Sequence, residues 1–234
     1  MRKTIELFHG SREIVRIPEY GKGRKHNDYG LGFYCTENIE IAKEWACSSL
    51  SDGYVNHYLL DASDLRILDL SCEDYTILNW ISVLTANRLF RPGTPVAGRA
   101  IRYLRENFQV NVNAYDVIKG YRADDAYYDF ADAFLNNAIT VEQLAQAMCL
   151  GKLAEQIVIK SQRAFDKLSF TGFETADSKI YYPARKARFD AAEMQYRRLS
   201  DQPEDGLYMI DLIREKVRND DPRIPRNAPQ KGNA

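Results

Sequence analysis

The sequence has no long apolar run. No stretch approaches the roughly 18 consecutive apolar residues that span a bilayer, and charged residues occur throughout the chain. At the N-terminus, two charges and a threonine precede only a brief apolar patch, which is not the pattern of a secretory signal. We therefore expect no membrane segment and a cytoplasmic location.

Cysteine and histidine are scarce. The chain has four cysteines and three histidines, with no C-x-x-C pair and no H-E-x-x-H motif. A zinc site or a disulfide framework needs such spacings, so we expect reduced cysteines and no bound metal. No G-x-G-x-x-G motif follows the first predicted strand, and no G-x-x-x-x-G-K-[ST] motif occurs. A Rossmann or P-loop nucleotide site is therefore unsupported.

Charge of one sign is not in excess. The 32 Lys and Arg residues are balanced by 33 Asp and Glu residues, which gives a formal net charge of -1. The overall field of the protein therefore does not drive binding to nucleic acid. With 234 residues and 45% hydrophobic content, the chain is long and apolar enough to bury a substantial core without disulfides or metals.

Hydrophobic periodicity predicts strands and helices in mixed order. Alternating stretches predict strands at 4–9, 31–36, 54–60, 65–70, 115–119, 156–160 and 168–170. Helical spacing predicts helices at 38–50, between 73 and 106 with a break near Pro92, after Gly120, at 141–150, after Pro183 and near 207–218. Because these elements follow no regular βαβα alternation, the sequence favours an α+β fold over a doubly wound sheet.

Three short segments contain polar or aromatic side chains beside glycine or at a strand end. In the first, His9 ends a predicted strand and Gly10 follows, so an imidazole lies beside backbone that a planar amide can approach. In the second, Gly30 and Gly32 precede an aromatic pair and leave room for a ligand beside a ring. In the third, Gln156 opens an otherwise apolar strand. Each segment is a candidate part of a binding site.

The three segments resemble the H-Y-[E/D/Q] signature of the ADP-ribosyltransferase superfamily, in the branch of diphtheria-type toxins and poly-ADP-ribose polymerases. The His-Gly-Ser and Gly-Phe-Tyr segments are also similar to a bacterial family catalogued only as a domain of unknown function, which is often encoded beside a small antitoxin-like partner. The resemblance covers about residues 4–170. It includes the segments Tyr115-Asp116-Val117-Ile118 and Ala123-Asp124-Asp125.

The resemblance implies a domain organisation. Residues 1–175 would form an ADP-ribosyltransferase-like domain with split mixed and antiparallel sheets and flanking helices. The rest of the sequence predicts a helical C-terminal extension at 176–220 and a disordered tail at 221–234, where three prolines fall.

The resemblance also implies roles for individual residues. His9 would anchor the NAD ribose, the Gly10 backbone would bond the nicotinamide carboxamide, and Tyr34 would stack on the nicotinamide ring. A second aromatic residue lies eleven positions further on in the relatives; here it is Trp45, which would cover the other face of the ring. Further polar contacts are expected from Ser11, Asp28 and Thr36.

By the same resemblance, the protein would be a toxin-like mono-ADP-ribosyltransferase that uses NAD as substrate, with a macromolecular acceptor and an antitoxin-like partner. The third motif position departs from the commonest pattern, in which a glutamate bonds the ribose 2′-hydroxyl. Gln156 can form that bond but carries no charge and cannot act as a general base, and the adjacent Glu155 should point to the opposite face of the strand. An NAD glycohydrolase and a catalytically inactive module that binds NAD or a partner are the alternatives.

Each candidate also has a plain structural explanation. The motif side chains can be packing residues of strand ends and of a helix face. Asp124 and Asp125 fit a helix cap or an acceptor-side surface better than a catalytic pair. The basic residues of the N-terminal loop are commonly solvated, yet they are the nearest cations in sequence for a pyrophosphate; they are Arg12, Arg16, Lys22, Arg24 and Lys25.

Overall fold

The computed structural model has the predicted α+β class, with helices packed around two β-sheets. It describes residues 4–90, 92–123, 126–149, 155–200 and 206–227. Among the helices in these ranges, none has both the length and the apolar composition to cross a membrane.

The predicted strands and helices occur in the predicted order, and the structure adds a short helix at Gln162–Asp166 that was not predicted. The strands are β1 (Thr4–Ser11), β2 (Phe33–Cys35), β3 (Gly53–Asp61), β4 (Ile67–Asp69), β5 (Val117–Gly120), β6 (Gln156–Ile159) and β7 (Leu168–Ala176). The helices are α1 (Ile39–Ala46), α2 (Ile77–Asn87), α3 (Pro95–Asn107), α4 (Ala126–Leu135), α5 (Val141–Ala147), α6 (Gln162–Asp166), α7 (Ser178–Ser200) and α8 (Met209–Glu215), and a short 3₁₀ helix spans Val112–Ala114.

The strands form two sheets that are joined at one point. The first sheet is antiparallel, with the order β1-β3-β7. The second has the order β2-β6-β5-β4, in which β4 and β5 pair in parallel and the other neighbours are antiparallel. Backbone hydrogen bonds exchanged between Phe8 and Thr36 join β1 to the chain just after β2. The split mixed and antiparallel sheets agree with the predicted architecture.

Strand alternation directs one face of each sheet into a shared apolar core. Leu7, Tyr58 and Leu60 of the first sheet are buried together with Ile157 and Ile159 of the second. A larger core lies among the helices and contains several large, fully buried side chains: Trp80, Phe108, Tyr127, Phe130 and Phe134. This packing fixes the ends of β1, β2 and β6 relative to one another.

Helix α1 begins directly after Asn38, a residue type that favours the N-cap position. The Asn38 side chain accepts hydrogen bonds from the backbone N–H groups of Glu40 and Ile41, which satisfies two donors that the first turn leaves free. The apolar face of the helix packs Ala42 and Ala46 against the first sheet. This packing places the next-to-last helical residue, Trp45, beside the ends of β1 and β2.

The C-terminal helices pack against the rest of the chain. Arg188 of α7 donates to Glu44 of α1 at 2.5 Å, and a backbone oxygen near the end of α8, that of Val217, accepts a 2.7 Å hydrogen bond from Tyr103 of α3. Helix α7 begins at Ser178, so it includes Pro183 instead of following it. The extension predicted at 176–220 therefore contributes contacts to the helical core.

The segment after residue 220 differs from the predicted disordered tail. Ile224 and Asn227 are buried, and the Asn227 side chain donates a 2.7 Å hydrogen bond to the carbonyl oxygen of Leu70. Residues 221–227 are therefore packed against the rest of the protein. The Asn227 amide contributes to this packing, since it satisfies a buried backbone carbonyl group. The remainder of the predicted tail, 228–234, lies outside the described residues.

Candidate functional site

A cleft of about 920 Å³ lies where β1, β2 and β6 meet. Its walls also include the loop after β1, one side of α1, and single residues that follow α2 and β5. The predicted site residues that line it are His9, Gly10, Ser11, Asp28, Tyr34, Trp45 and Gln156. The fold thus brings residues that are distant in sequence into one concave surface of the size that holds small ligands.

His9 is fixed by a hydrogen bond from its ring. The Nδ1 atom lies 2.7 Å from the carbonyl oxygen of Tyr34, and because a carbonyl only accepts, Nδ1 must carry the proton. Burial lowers the pKa of His9, and the bond to Tyr34 offsets this only in part. The imidazole is therefore neutral at physiological pH, and its Nε2 lone pair is a hydrogen-bond acceptor.

The backbone of Gly10 lies at an open strand edge. Phe8 exchanges both of its backbone hydrogen bonds with Thr36 on this edge, and alternation along a strand turns the N–H and C=O of Gly10 to the same side. Among the described residues, no hydrogen bond links Gly10 to another element on that side. Gly10 therefore offers a donor and an acceptor side by side, the pattern that a carboxamide complements.

Glycine is also required at position 10 for packing. A Cβ atom there would lie 2.0 Å from the carbonyl oxygen of Ala42 and 2.8 Å from the backbone nitrogen of Ala46. Such distances are far below van der Waals contact, so any side chain would push α1 away from β1. The close approach of α1 also holds Trp45 at the cleft.

Tyr34 has its hydroxyl group anchored and its ring at the cleft wall. The hydroxyl donates to the carbonyl oxygen of Gly30 at 2.6 Å and accepts from the N–H of Tyr29 at 3.1 Å. Gly30 has φ +75°, a conformation that glycine adopts without strain. Burial raises the pKa of Tyr34 well above its usual range. The side chain is thus a neutral, rigid aromatic surface.

Trp45 lies beneath a guanidinium group. The Cζ atom of Arg122 is 4.0 Å from the centre of the Trp45 ring, which is within the range of a cation–π interaction. The indole nitrogen of Trp45 is buried without a hydrogen-bond partner among the described residues. Arg122 covers one face of the indole, so a nicotinamide ring between Tyr34 and Trp45 would use the other face or displace Arg122.

Gln156 and Asp28 form a hydrogen-bonded pair at the cleft. The Gln156 amide nitrogen donates to Asp28 Oδ2 at 2.7 Å and to the carbonyl oxygen of Tyr121 at 3.1 Å. Asp28 Oδ2 also accepts from the N–H of Ala123 at 2.8 Å, and Asp28 Oδ1 lies 2.8 Å from Arg88 Nε. Burial raises the pKa of Asp28, and the neighbouring donors oppose the shift. Asp28 is thus held by two hydrogen bonds to Oδ2 and by an ion pair at Oδ1, which has no hydrogen-bond partner among the described residues.

Ser11 holds the loop that follows β1. Its hydroxyl donates to the carbonyl oxygen of Glu13 at 2.5 Å and accepts from Asn56 at 3.1 Å. Asn56 is fully buried and also bonds the backbone of Val15 at 2.8 Å. Ser11 therefore shapes the cleft wall through the loop, and it lines the cleft where the predicted contact with a ligand would be made.

Thr36 does not line the cleft, so its predicted contact with a ligand is wrong. The residue is fully buried, its backbone pairs with Phe8, and its hydroxyl accepts from the N–H of Asn38 at 3.2 Å. Thr36 instead joins the two sheets and leads into α1.

The alternative carboxylate Glu155 is also directed away from the cleft. Its Oε2 atom lies 2.7 Å from Lys119 Nζ in an ion pair on β5. Strand alternation predicts this opposite orientation, so the neutral Gln156 is the motif residue that reaches the cleft. The predicted Asp124–Asp125 pair lies outside the described residues.

Cations outnumber carboxylates on the cleft wall. The lining cations are Arg16, Lys22, Arg24, Arg88 and Arg122, and the lining carboxylates are those of Glu13, Glu19 and Asp28. Three of the five cations come from the predicted basic loop, whereas Arg12 and Lys25 of that loop do not line the cleft. This balance favours an anionic ligand.

Several residues of the site carry no signal in the sequence. The sequence pattern around these residues indicates only structural elements. Tertiary packing brings Arg88 and Arg122 to the cleft and Asn56 to the loop that lines it. Within the described ranges, no group of three or more His, Cys, Asp or Glu side chains is placed to hold a metal ion.

These features define an α+β protein with two joined sheets and a ligand-sized cleft at their junction. The model of one protein family, described as "Protein of unknown function (DUF3990)", matches residues 5–170. Since that match spans well over half of the chain, the protein belongs to this family. No curated protein and no solved structure matches the chain. The matched range ends within β7 and includes every side chain assigned to the site above.

Proposed function

We propose that this protein is a mono-ADP-ribosyltransferase that cleaves NAD and transfers ADP-ribose to a macromolecule in the cytoplasm. The observation that carries the proposal is the convergence of three features on one cleft: the His9 imidazole, the open backbone edge of Gly10 and the Tyr34 ring. These are the groups that the resemblance assigns to the nicotinamide riboside half of NAD.

The three groups recognise different parts of that half. The carboxamide of nicotinamide accepts from the Gly10 N–H and donates to the Gly10 carbonyl oxygen. The pyridinium ring stacks on Tyr34, whose hydroxyl is already anchored to Gly30. His9 Nε2 accepts a hydrogen bond from a ribose hydroxyl, because its Nδ1 proton is committed to the Tyr34 carbonyl.

The cleft suits the rest of the dinucleotide in size and charge. Its volume of about 920 Å³ is at the upper end of the range for small-molecule sites. The pyrophosphate carries negative charge, and Arg16 and Arg24 line the cleft on the loop that follows β1. Guanidinium groups bind phosphate oxygens in bidentate geometry.

The reaction breaks the bond between nicotinamide and ribose. Nicotinamide departs with the bonding electron pair, and an oxocarbenium-like ribose is captured by a nucleophile on the acceptor, which then loses its proton. Stacking on Tyr34 and exclusion of water hold the ring in the pose that favours departure. Gln156 Oε1 accepts from the ribose 2′-hydroxyl, since its amide nitrogen is already bonded to Asp28 and Tyr121.

Calorimetric titration with NAD, followed by an assay of nicotinamide release, tests the proposal. We expect NAD to bind and nicotinamide release to rise when a cell lysate supplies the acceptor. Release that needs no acceptor identifies an NAD glycohydrolase instead. Binding without any release identifies an inactive NAD-binding module, and the absence of binding refutes the assignment of the cleft. Mass spectrometry of the lysate then identifies the modified macromolecule and any antitoxin-like partner that co-purifies.

A further inference from the structure

The orientation of the Gln156 amide follows from its neighbours. The atom at 2.7 Å from Asp28 Oδ2 and 3.1 Å from the Tyr121 carbonyl oxygen faces two acceptors. Only the amide nitrogen can satisfy both, so the assignment of nitrogen and oxygen is not ambiguous. The hydrogen bonds of this side chain within the described residues both use the nitrogen, which leaves Oε1 without one, and Gln156 lines the cleft.

The charge state of Asp28 follows from the groups that face its two carboxyl oxygens. Its oxygens face the N–H of Ala123, the amide nitrogen of Gln156 and Nε of Arg88. The first two donate hydrogen bonds to Oδ2. The Arg88 guanidinium forms an ion pair with Oδ1, which has no hydrogen-bond partner among the described residues, so no neighbouring acceptor is placed to take a proton from the carboxyl group. Asp28 is therefore ionised, although it is only 4% exposed. Arg88 lies 2.8 Å from the far oxygen and compensates the buried charge.

We propose that Asp28 is a positioning residue that holds Gln156 Oε1 towards the ribose and supplies, through one hydrogen bond, the negative charge that glutamine lacks. The proposal rests on the proposed transferase function. A charge-assisted bond to the amide nitrogen draws electron density towards Oε1 and strengthens it as an acceptor. The strengthened acceptor Oε1 then faces the positive charge that develops on the ribose in the transition state.

A purely structural role for Asp28 predicts a different outcome. If the carboxylate only ties β6 to the chain near Tyr121 and Ala123, its loss should lower stability and weaken all ligand interactions alike. If it acts through Gln156 in the transition state, its loss should lower kcat with little change in KM. The two roles are therefore separable by kinetics.

The experiment measures nicotinamide release by Asp28→Asn, with Asp116→Asn as a matched control. Asp116 is also 4% exposed, accepts two hydrogen bonds, from Arg66 N and Ser161 Oγ, and does not line the cleft. The asparagine introduced by Asp28→Asn keeps an oxygen for Gln156 but loses the charge. We expect kcat to fall by about tenfold or more in Asp28→Asn, as for the loss of one transition-state interaction, and KM to stay within about twofold.

In the double variant Asp28→Asn/Gln156→Glu, the carboxylate lies at position 156 and the amide at position 28. The pair therefore regains one negative charge, and the amide that donates is now the one at position 28. We expect it to recover part of the kcat lost in Asp28→Asn. The single variant Gln156→Glu places two carboxylates in contact, so they share a proton. Its kcat should therefore show an ionisation near neutral pH that the wild type lacks, and this arm tests the proposal even if Asp28→Asn does not fold.

The outcomes separate this proposal from the proposed function. If the wild type releases no nicotinamide in the presence of lysate, both the transferase function and the role of Asp28 are refuted. If the wild type is active and Asp28→Asn keeps the kcat of the Asp116→Asn control, the role of Asp28 alone is refuted. The same conclusion follows if Gln156→Glu has the pH profile of the wild type, because Asp28 would then carry no charge beside it.

Discussion

The Nδ1 atom of His9 and the carbonyl oxygen of Tyr34 lie 2.7 Å apart and tie the end of β1 to β2. The bond makes two proposed ligand contacts interdependent, because the imidazole that would bind ribose is oriented by the backbone of the residue that would stack on nicotinamide. It also fixes the ring tautomer, so that Nε2 is an acceptor.

We expect His9→Ala to weaken NAD binding by about tenfold, the equivalent of one hydrogen bond to a ligand. The fold should survive, since β1 remains paired along its length with β3. Calorimetric titration measures the effect. His26→Ala is the control, because His26 is exposed and does not line the cleft. Equal affinity of the two variants for NAD would remove His9 from the site.

The pKa of His9 makes stability depend on pH in a predictable direction. Burial lowers this pKa in the folded state, so between the lowered value and the usual histidine value the unfolded chain binds more protons than the folded one. Stability from His9 is then present above the usual value and is lost as the pH falls through that window. Denaturant unfolding at several pH values should show the stability of wild type relative to His9→Gln decreasing with acidity. A constant difference would contradict a buried neutral imidazole.

The hydroxyl group of Tyr34 should contribute mainly to the stability of the protein, and its ring mainly to NAD binding. Tyr34→Phe removes the bonds to Gly30 and Tyr29 and should cost about 1–2 kcal/mol of unfolding free energy, while NAD binding changes little because the ring remains. Tyr34→Ala removes the ring as well and should weaken binding strongly. Chemical denaturation and NAD titration of both variants test this. If Tyr34→Phe binds as poorly as Tyr34→Ala, stacking is not the main contribution.

Much of the fold follows from local pattern. The period-two stretch at 4–9 and the apolar run at 156–160 correspond to β1 and β6, and the glycines before Phe33 precede β2 as expected. These segments have strong periodicity or glycine at turns, so neighbouring residues alone specify them. The resemblance predicts the convergence of His9, Tyr34 and Gln156, and the cleft contains all three.

The remaining features depend on tertiary contacts that no local pattern carries. Arg122 reaches the cleft only because β5 lies beside β6. Pro183 lies within α7, where the sequence rule for proline predicts a helix that starts later. Strand β7 continues to Ala176 past Gly172, since its pairing with β3 stabilises residues that show weak strand preference alone. Thr36 is close to Tyr34 in sequence, but its pairing with Phe8 turns it into the core.

Gly10 should not tolerate even a methyl group. In Gly10→Ala the added carbon would lie 2.0 Å from the Ala42 carbonyl oxygen, so α1 must move, and we expect a loss of about 3 kcal/mol or more in unfolding free energy. Gly172→Ala is the matched control on the same sheet, since nothing lies within 4 Å of a Cβ there. Thermal or denaturant unfolding compares the two. Equal stability would show that α1 does not pack closely on β1.

Tryptophan fluorescence can report occupancy of the cleft. The chain has two tryptophans: Trp45 lines the cleft, whereas Trp80 is fully buried and donates to the Tyr121 carbonyl oxygen at 3.1 Å. A nicotinamide ring that stacks near Trp45, or a ligand that displaces Arg122 from the indole, changes the surroundings of Trp45 alone. We expect NAD to quench the emission of the wild type and of Trp80→Phe, but not that of Trp45→Phe. Quenching that persists in Trp45→Phe would mean that NAD binds away from α1, because the remaining indole is enclosed in the helical core.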